Sequence, residues 1–168
     1  MEWLKALISS LIIVGIILFF IRPTLVKGDS MFPTIKEYNY LIIEKMSYKF
    51  SDPERGDIIV FKSDLPENRF KSKDLIKRVI GVPGDHIMIQ EGIVVVNGQQ
   101  MTETYINDPY TFGLVDVVIP EGKVFVMGDN RAVSRDSRDN AVGLVEYDRI
   151  RGKIFVRLFP FNKMGAIE

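Results

Sequence analysis

The chain has 168 residues, 22 of them basic and 22 acidic, with no cysteine and a single histidine, His86. Balanced charge supplies no field that would draw it to nucleic acid, and the missing cysteines exclude a thiolate nucleophile, a disulfide framework and a cysteine-based zinc site. A Ser-His-Asp triad would have to use His86, which opens an Ile87-Met88-Ile89 run as an exposed strand start, so a serine nucleophile here calls for a lysine or a carboxylate as its base.

In chain order, the first predicted element is membrane-like. Residues 6–21 carry no charge over 16 positions and are flanked by Lys5 and Arg22. As a helix they span about 24 Å against a hydrocarbon core of about 30 Å, and Trp3, Leu4 and the stems of Lys5 and Arg22 cover the shortfall. A cleaved leader would show an A-x-A-like site; residues 21–27 offer none, so the expectation is one uncleaved transmembrane helix within a 1–27 anchor and juxtamembrane segment. Pro23 is expected to end that helix. Lys5 against Arg22 and Lys27 is too even a balance to orient it. About 140 residues remain, enough for one compact domain over 28–168.

Directly after the anchor, Gly28-Asp29-Ser30-Met31-Phe32-Pro33-Thr34 reads as a tight turn that presents Ser30. Taken alone it is an ordinary loop serine. Beyond it the pattern is all-β: short β-branched and aromatic runs between Gly and Pro turn signals, at 40–44, 57–61, 75–82, 86–90, 93–96, 115–119, 123–127 and 153–158. Asn97-Gly98 marks a two-residue hairpin. Two longer loops are expected: a polar one over 62–74, whose basic residues Arg69, Lys71 and Lys73 read as a solvated face, and a charged one over 128–143. Met31, Phe32 and Phe61 are candidates for either lipid contact or core burial.

Lys77 and Arg78 stand in the middle of the otherwise apolar run 75–82. Arginine keeps its charge, so Arg78 needs a carboxylate; a lysine can instead lose its proton when desolvated. A fall from about 10.4 to near 8 corresponds to roughly 3 kcal/mol, within the reach of an apolar pocket. Lys77 is then either a neutral general base for Ser30 or a lysine that snorkels from a strand edge. The stretch 128–138 contains Asp129, Arg131, Ser134, Asp136 and Arg138. Its carboxylates can accept from Arg78, Arg131 or Arg138, and Ser134 can accept a hydrogen bond from a lysine amine; a solvated charged loop is the alternative.

Together, residues 28–34, 55–61, 77–85 and 128–138 occur in an order that resembles type I signal peptidase, and the match covers the anchor and nearly all of the remaining chain. The compact size and single anchor are similar to the Gram-positive bacterial branch. The resemblance implies a coiled antiparallel β-sheet catalytic domain with a small cap insertion over 85–122. It also implies a cofactor-free serine endopeptidase with Ser30 as nucleophile and Lys77 as general base. Ser134 matches the serine that helps position the lysine; Asp129, Arg131, Asp136, Arg138 and Arg78 match a supporting polar network. Implied partners are secretory preproteins cut after small residues at A-x-A-like sites, with Val26, Met31, Leu75 and Ile76 as candidate pocket walls, and the lipid bilayer. The implied topology is a single pass in the plasma membrane, N-terminus in the cytoplasm and catalytic domain outside. One departure is Gly28, where the Gram-negative form carries a serine that completes the oxyanion hole. Self-cleaving Ser-Lys proteases of the LexA kind fit less well, since an apolar anchor occupies the place of their DNA-reading domain. A non-catalytic membrane-tethered β-domain that binds secreted proteins is the remaining alternative.

Overall fold

The computed structural model describes residues 2–68 and 71–167; Arg69 and Phe70, within the expected polar loop, lie outside the described residues. Helix α1 (Glu2–Phe20) is exposed and apolar all round, without the polar face of a helix that packs on a soluble core. By length and composition it can cross a bilayer. It ends at Phe20, and the chain passes without a loop into β1 (Ile21–Leu25), which pairs antiparallel with β2 (Tyr40–Glu44) from Ile21↔Glu44 to Leu25↔Tyr40. The expected juxtamembrane linker is therefore a strand with Pro23 inside it. Proline is tolerated there because β1 is an edge strand, where one side of the ladder needs no N–H donor.

The remaining strands are β3 (Ile58–Asn68), β4 (Lys71–Gly81), β5 (His86–Gln90), β6 (Ile93–Val96), β7 (Gln99–Gln100), β8 (Val115–Val118), β9 (Lys123–Met127), β10 (Val145–Glu146), β11 (Ile150–Phe159) and β12 (Gly165–Ala166). They form two open antiparallel sheets, one ordered β1-β2-β11-β3-β4-β9-β10 with β12 on β11, the other β7-β6-β5-β8. The chain leaves the large sheet after β4, builds the small one and returns at β9, which pairs with β4 through Arg78↔Met127 and Val79↔Val126. Asn97 and Gly98 both take positive φ and close the β6–β7 hairpin.

The described residues of the polar segment, 62–68 and 71–74, are not a loop. β3 and β4 continue through it as a two-stranded ribbon, with Lys62 opposite Asp74 and Pro66 opposite Ser72 across shifts of register. Ser63 Oγ donates to the Lys73 carbonyl at 2.7 Å. Its order comes from backbone pairing, which leaves no apolar alternation in the sequence.

The first four residues of β3, 58–61, are buried on both faces, so they read as a continuous apolar run. Ile58 and Val60 join Val26, Met31, Ile35 and Leu41 in one cluster, while Ile59 and Phe61 join Val79, Val124 and Val126 in another. A third cluster, with Ile80, Ile87 and Phe125, joins the two sheets. Met31 and Phe61, 2% and 1% exposed, are thus core residues rather than lipid contacts.

Where β11 crosses β2, Gly152 has φ +152°, and a Cβ there would collide with the Glu44 carbonyl oxygen. Backbone on backbone cannot yield as a flexible side chain does. Gly152→Ala is expected to destabilise the domain by about 2 kcal/mol or more, read as a lowered urea midpoint in detergent.

Candidate active site

The turn carrying Ser30 is pinned from several sides. Gly28 enters it at φ +87°, a conformation that favours glycine. Within it Phe32 N–H donates to the Asp29 carbonyl at 3.0 Å and Ile35 N–H to the Met31 carbonyl at 2.8 Å. The 128–138 segment holds its outer side: Asn130 N–H donates to the Ser30 carbonyl and Asn130 Nδ2 to the Asp29 carbonyl, both at 3.1 Å. Thr34 Oγ1 donates to Asp129 Oδ2 at 2.5 Å, and Arg157 Nη2 donates to the Thr34 carbonyl at 2.6 Å.

Opposite the turn, β4 brings Lys77, whose Nζ lies 2.7 Å from Ser30 Oγ and 2.9 Å from the Ile76 carbonyl oxygen. Lys77 is 1% exposed. Burial pulls its amine from the ordinary 10.5 down to about 8; Asp136 opposes that, Lys73 adds to it and Asp129 opposes it. No carboxylate touches the amine among the described residues, so desolvation outweighs the attraction of the nearby acids.

Arg78, the next residue, is held by a bidentate pair with Asp129, Nε to Oδ1 and Nη2 to Oδ2 both at 2.9 Å. It also donates to the Gly56 carbonyl and lies 4.1 Å from the Tyr105 ring centroid. Asp136 is fully buried and accepts from Arg138 Nε and Nη2 at 2.8 Å and from Gly128 N–H at 3.0 Å. Arg131 pairs with Glu103 and donates to Thr111 Oγ1 at 2.7 Å. Burial works against the Arg131 charge, but the Glu103 carboxylate outweighs it and lifts its pKa above the ordinary arginine value.

The expected residues thus converge: Ser30 and Lys77 are in contact, and around them stand three buried ion pairs, Arg78–Asp129, Arg138–Asp136 and Arg131–Glu103. Ser134 is placed differently from the expectation. Its Oγ is buried and has no hydrogen-bond partner among the described residues; the Lys77 amine instead meets Ser30 and the Ile76 carbonyl. Ser134 packs beside Gly128, where a Cβ would strike both its hydroxyl and the Ser30 carbonyl oxygen. Thr34, Glu103, Tyr105 and Thr111 were not singled out from the sequence. The available signal was a charge count: Arg78, Arg131 and Arg138 outnumber Asp129 and Asp136, so a third buried carboxylate was required.

Ser30 and Lys77 open onto a cleft of about 220 Å³ whose walls include Val26, Met31, Leu75 and Ile76. Arg22, Thr24 and Leu25 of β1 and Lys73 and Asp74 of β4 also line it, and Arg22 approaches Asp74 at 3.7 Å. Among the described residues no three His, Asp or Glu side chains converge to hold a metal ion.

Comparison with known proteins gives the family. The signal peptidase family, peptidase S26, matches residues 1–159. A probable signal peptidase I-2 of Synechocystis sp. is 37% identical, covering 97% of this chain and 75% of that protein. Signal peptidase IB of Staphylococcus aureus is 35% identical, covering 97% and 91%. A crystal structure of a signal peptidase I from Enterococcus faecalis superposes with a TM-score of 0.50 at 30% identity, over 61% of this chain and 97% of that one. The chain belongs to the signal peptidase family, peptidase S26, and is a serine peptidase that removes signal peptides.

Because the unfolded chain keeps the Lys77 proton up to about pH 10.5 while the folded chain releases it near 8, stability rises with pH across that window. Below pH 8 the buried ammonium costs roughly 3 kcal/mol. Lys77→Met removes that cost, so its urea midpoint is expected to exceed the wild type's clearly at pH 7, with the gap narrowing toward pH 10.

Proposed function

We propose that this chain is a membrane-anchored endopeptidase in which Ser30 is the nucleophile and Lys77 the general base. The observation that carries the proposal is the 2.7 Å contact between Oγ and an amine that is 1% exposed and pulled to about 8. A neutral Nζ at that distance accepts the Oγ proton as Oγ bonds to the scissile carbonyl carbon. The ammonium then returns the proton to the departing amine nitrogen, leaving an acyl group on Ser30. Water attacks that ester, giving a proton to the Lys77 amine, and the ammonium reprotonates Ser30 Oγ as the acid product leaves.

The surroundings support this cycle. Asp136 and Asp129 favour the transient ammonium, so the charge formed mid-reaction is not isolated. Both carboxylates are committed to arginines, which keeps them from pairing fully with the lysine and locking it in the charged form. Ser30 N–H has no partner among the described residues and is the oxyanion donor we assign. Gly28, with open space where a side chain would stand, contributes no hydroxyl. Ser134 acts in this reading as a positioning residue through its packing on Gly128, beside the Ser30 carbonyl.

The substrate is a secretory preprotein, bound extended in the cleft. Among the described residues β1 pairs only with β2, and β4 before Arg78 only with β3, so both present a free edge to the cleft they line. The small apolar space between Val26, Met31, Leu75 and Ile76 suits small side chains at an A-x-A-like site. In this reading α1 crosses the plasma membrane once with its N-terminus in the cytoplasm, residues 28–168 act outside, and residues 85–122 form a cap. Confining enzyme and precursor to one surface raises their effective concentration.

Ser30→Ala and Lys77→Ala are each expected to lower cleavage of a precursor by at least about a thousandfold with the circular dichroism spectrum retained; substantial turnover by either variant removes the dyad. The kcat/KM profile should rise with pH through one group near 8. A profile flat from about pH 6 to 9 would contradict a neutralised lysine.

A further inference from the structure

We propose that a pocket at the exit of α1 holds the headgroup of an anionic phospholipid. The inference rests on the reading of α1 as a membrane span. The pocket, about 360 Å³, is separate from the cleft described above, and neither Ser30 nor Lys77 lines it. Its walls include Phe19, Lys45, Tyr48, Lys49, Tyr147 and Arg151, and no Asp or Glu is among the lining residues. Three cations therefore face one cavity without an acid in its wall.

Each cation is placed there by the fold. Lys45 follows β2, and its backbone N–H donates to the Phe20 carbonyl at 3.0 Å while Nζ donates to the Leu18 carbonyl at 2.8 Å. These bonds cap the last turn of α1, where the helix dipole favours positive charge. Lys49 Nζ stands 5.7 Å from the Phe19 ring centroid, and Lys45 Nζ 5.9 Å. Arg151 is the extra residue of a bulge in β11, where pairing with β3 shifts between Ile150 and Gly152. Bulges re-aim side chains, and this one lines the pocket with Arg151. Neither Lys49 nor Arg151 forms an ion pair among the described residues.

A soluble anion would satisfy the charge but not the position. Phe19, which walls the pocket, is also part of the exposed apolar surface of α1 together with Phe20 and Leu18. A phosphodiester seated between Lys45, Lys49 and Arg151 would let its acyl chains continue along that surface, so one ligand covers both features. The ligand class is a lipid with net negative charge.

The full chain in detergent, titrated with phosphatidylglycerol or phosphatidylcholine and read by native mass spectrometry, tests this. The first phosphatidylglycerol should bind about tenfold more tightly than phosphatidylcholine, and Lys49→Gln/Arg151→Gln should reduce that preference to about twofold or less. Lys45 is left in place because it also caps α1. Inorganic phosphate at 10-fold excess over lipid should displace none of it, and precursor cleavage by the double variant in detergent should match the wild type. An unchanged preference in the double variant, or displacement by inorganic phosphate, overturns the proposal. Flotation with neutral phosphatidylcholine vesicles separates the two levels: a chain that floats but shows no anionic preference overturns this site alone, whereas a chain that fails to float overturns the membrane reading and this site with it.

Discussion

The structure turns on an amine that is buried without a counter-ion in contact. Desolvation opposes the charged form of Lys77 and outweighs the acids one shell away that favour it, so the charged and neutral forms are equally populated at about pH 8. Either extreme would be chemically useless. An amine in water would stay charged and could take no proton; one paired directly with a carboxylate would be held charged more firmly still. The contact with Ser30 gains its meaning from that balance.

The balance is kept by the way the arginines occupy the acids. Asp129 receives both prongs of Arg78 and the Thr34 hydroxyl, so a single carboxylate joins β4 to the turn that carries Ser30. Asp136 is shared between Arg138 and the Gly128 N–H and fixes the segment that grips the Ser30 and Asp29 carbonyls. Breaking such a pair strands a buried charge, which typically costs 3–5 kcal/mol, so the fold and the geometry of the site rest on the same bonds.

Much of this could be read from the residue pattern. A lysine and an arginine inside the apolar run 75–82 had to be explained, and the two explanations, a neutral amine and a paired guanidinium, match where Lys77 and Arg78 stand. Strands with alternating or continuous apolar character, such as β2, β5 and β9, were legible for the same reason. The ribbon over 62–74 was not, because its residues are polar and its pairing is made by backbone groups that every sequence possesses. β1 was hidden by its proline and by the apolar helix it continues. Glu103, Tyr105 and Thr111 come from an irregular stretch with no period, and they reach Arg131 and Arg78 only through tertiary folding.

The direct passage from α1 into β1 also fixes a length. Five residues of strand, at about 3.3 Å each, separate the end of the helix from the Val26 wall of the cleft. No slack exists in that span, since every residue of it is in register with β2. Adding or removing one residue would not lengthen or shorten a leash; it would turn the strand over and exchange the side chains it shows to the cleft for those it shows to the other face. The sheet itself thus sets one fixed separation between the end of α1 and the cleft.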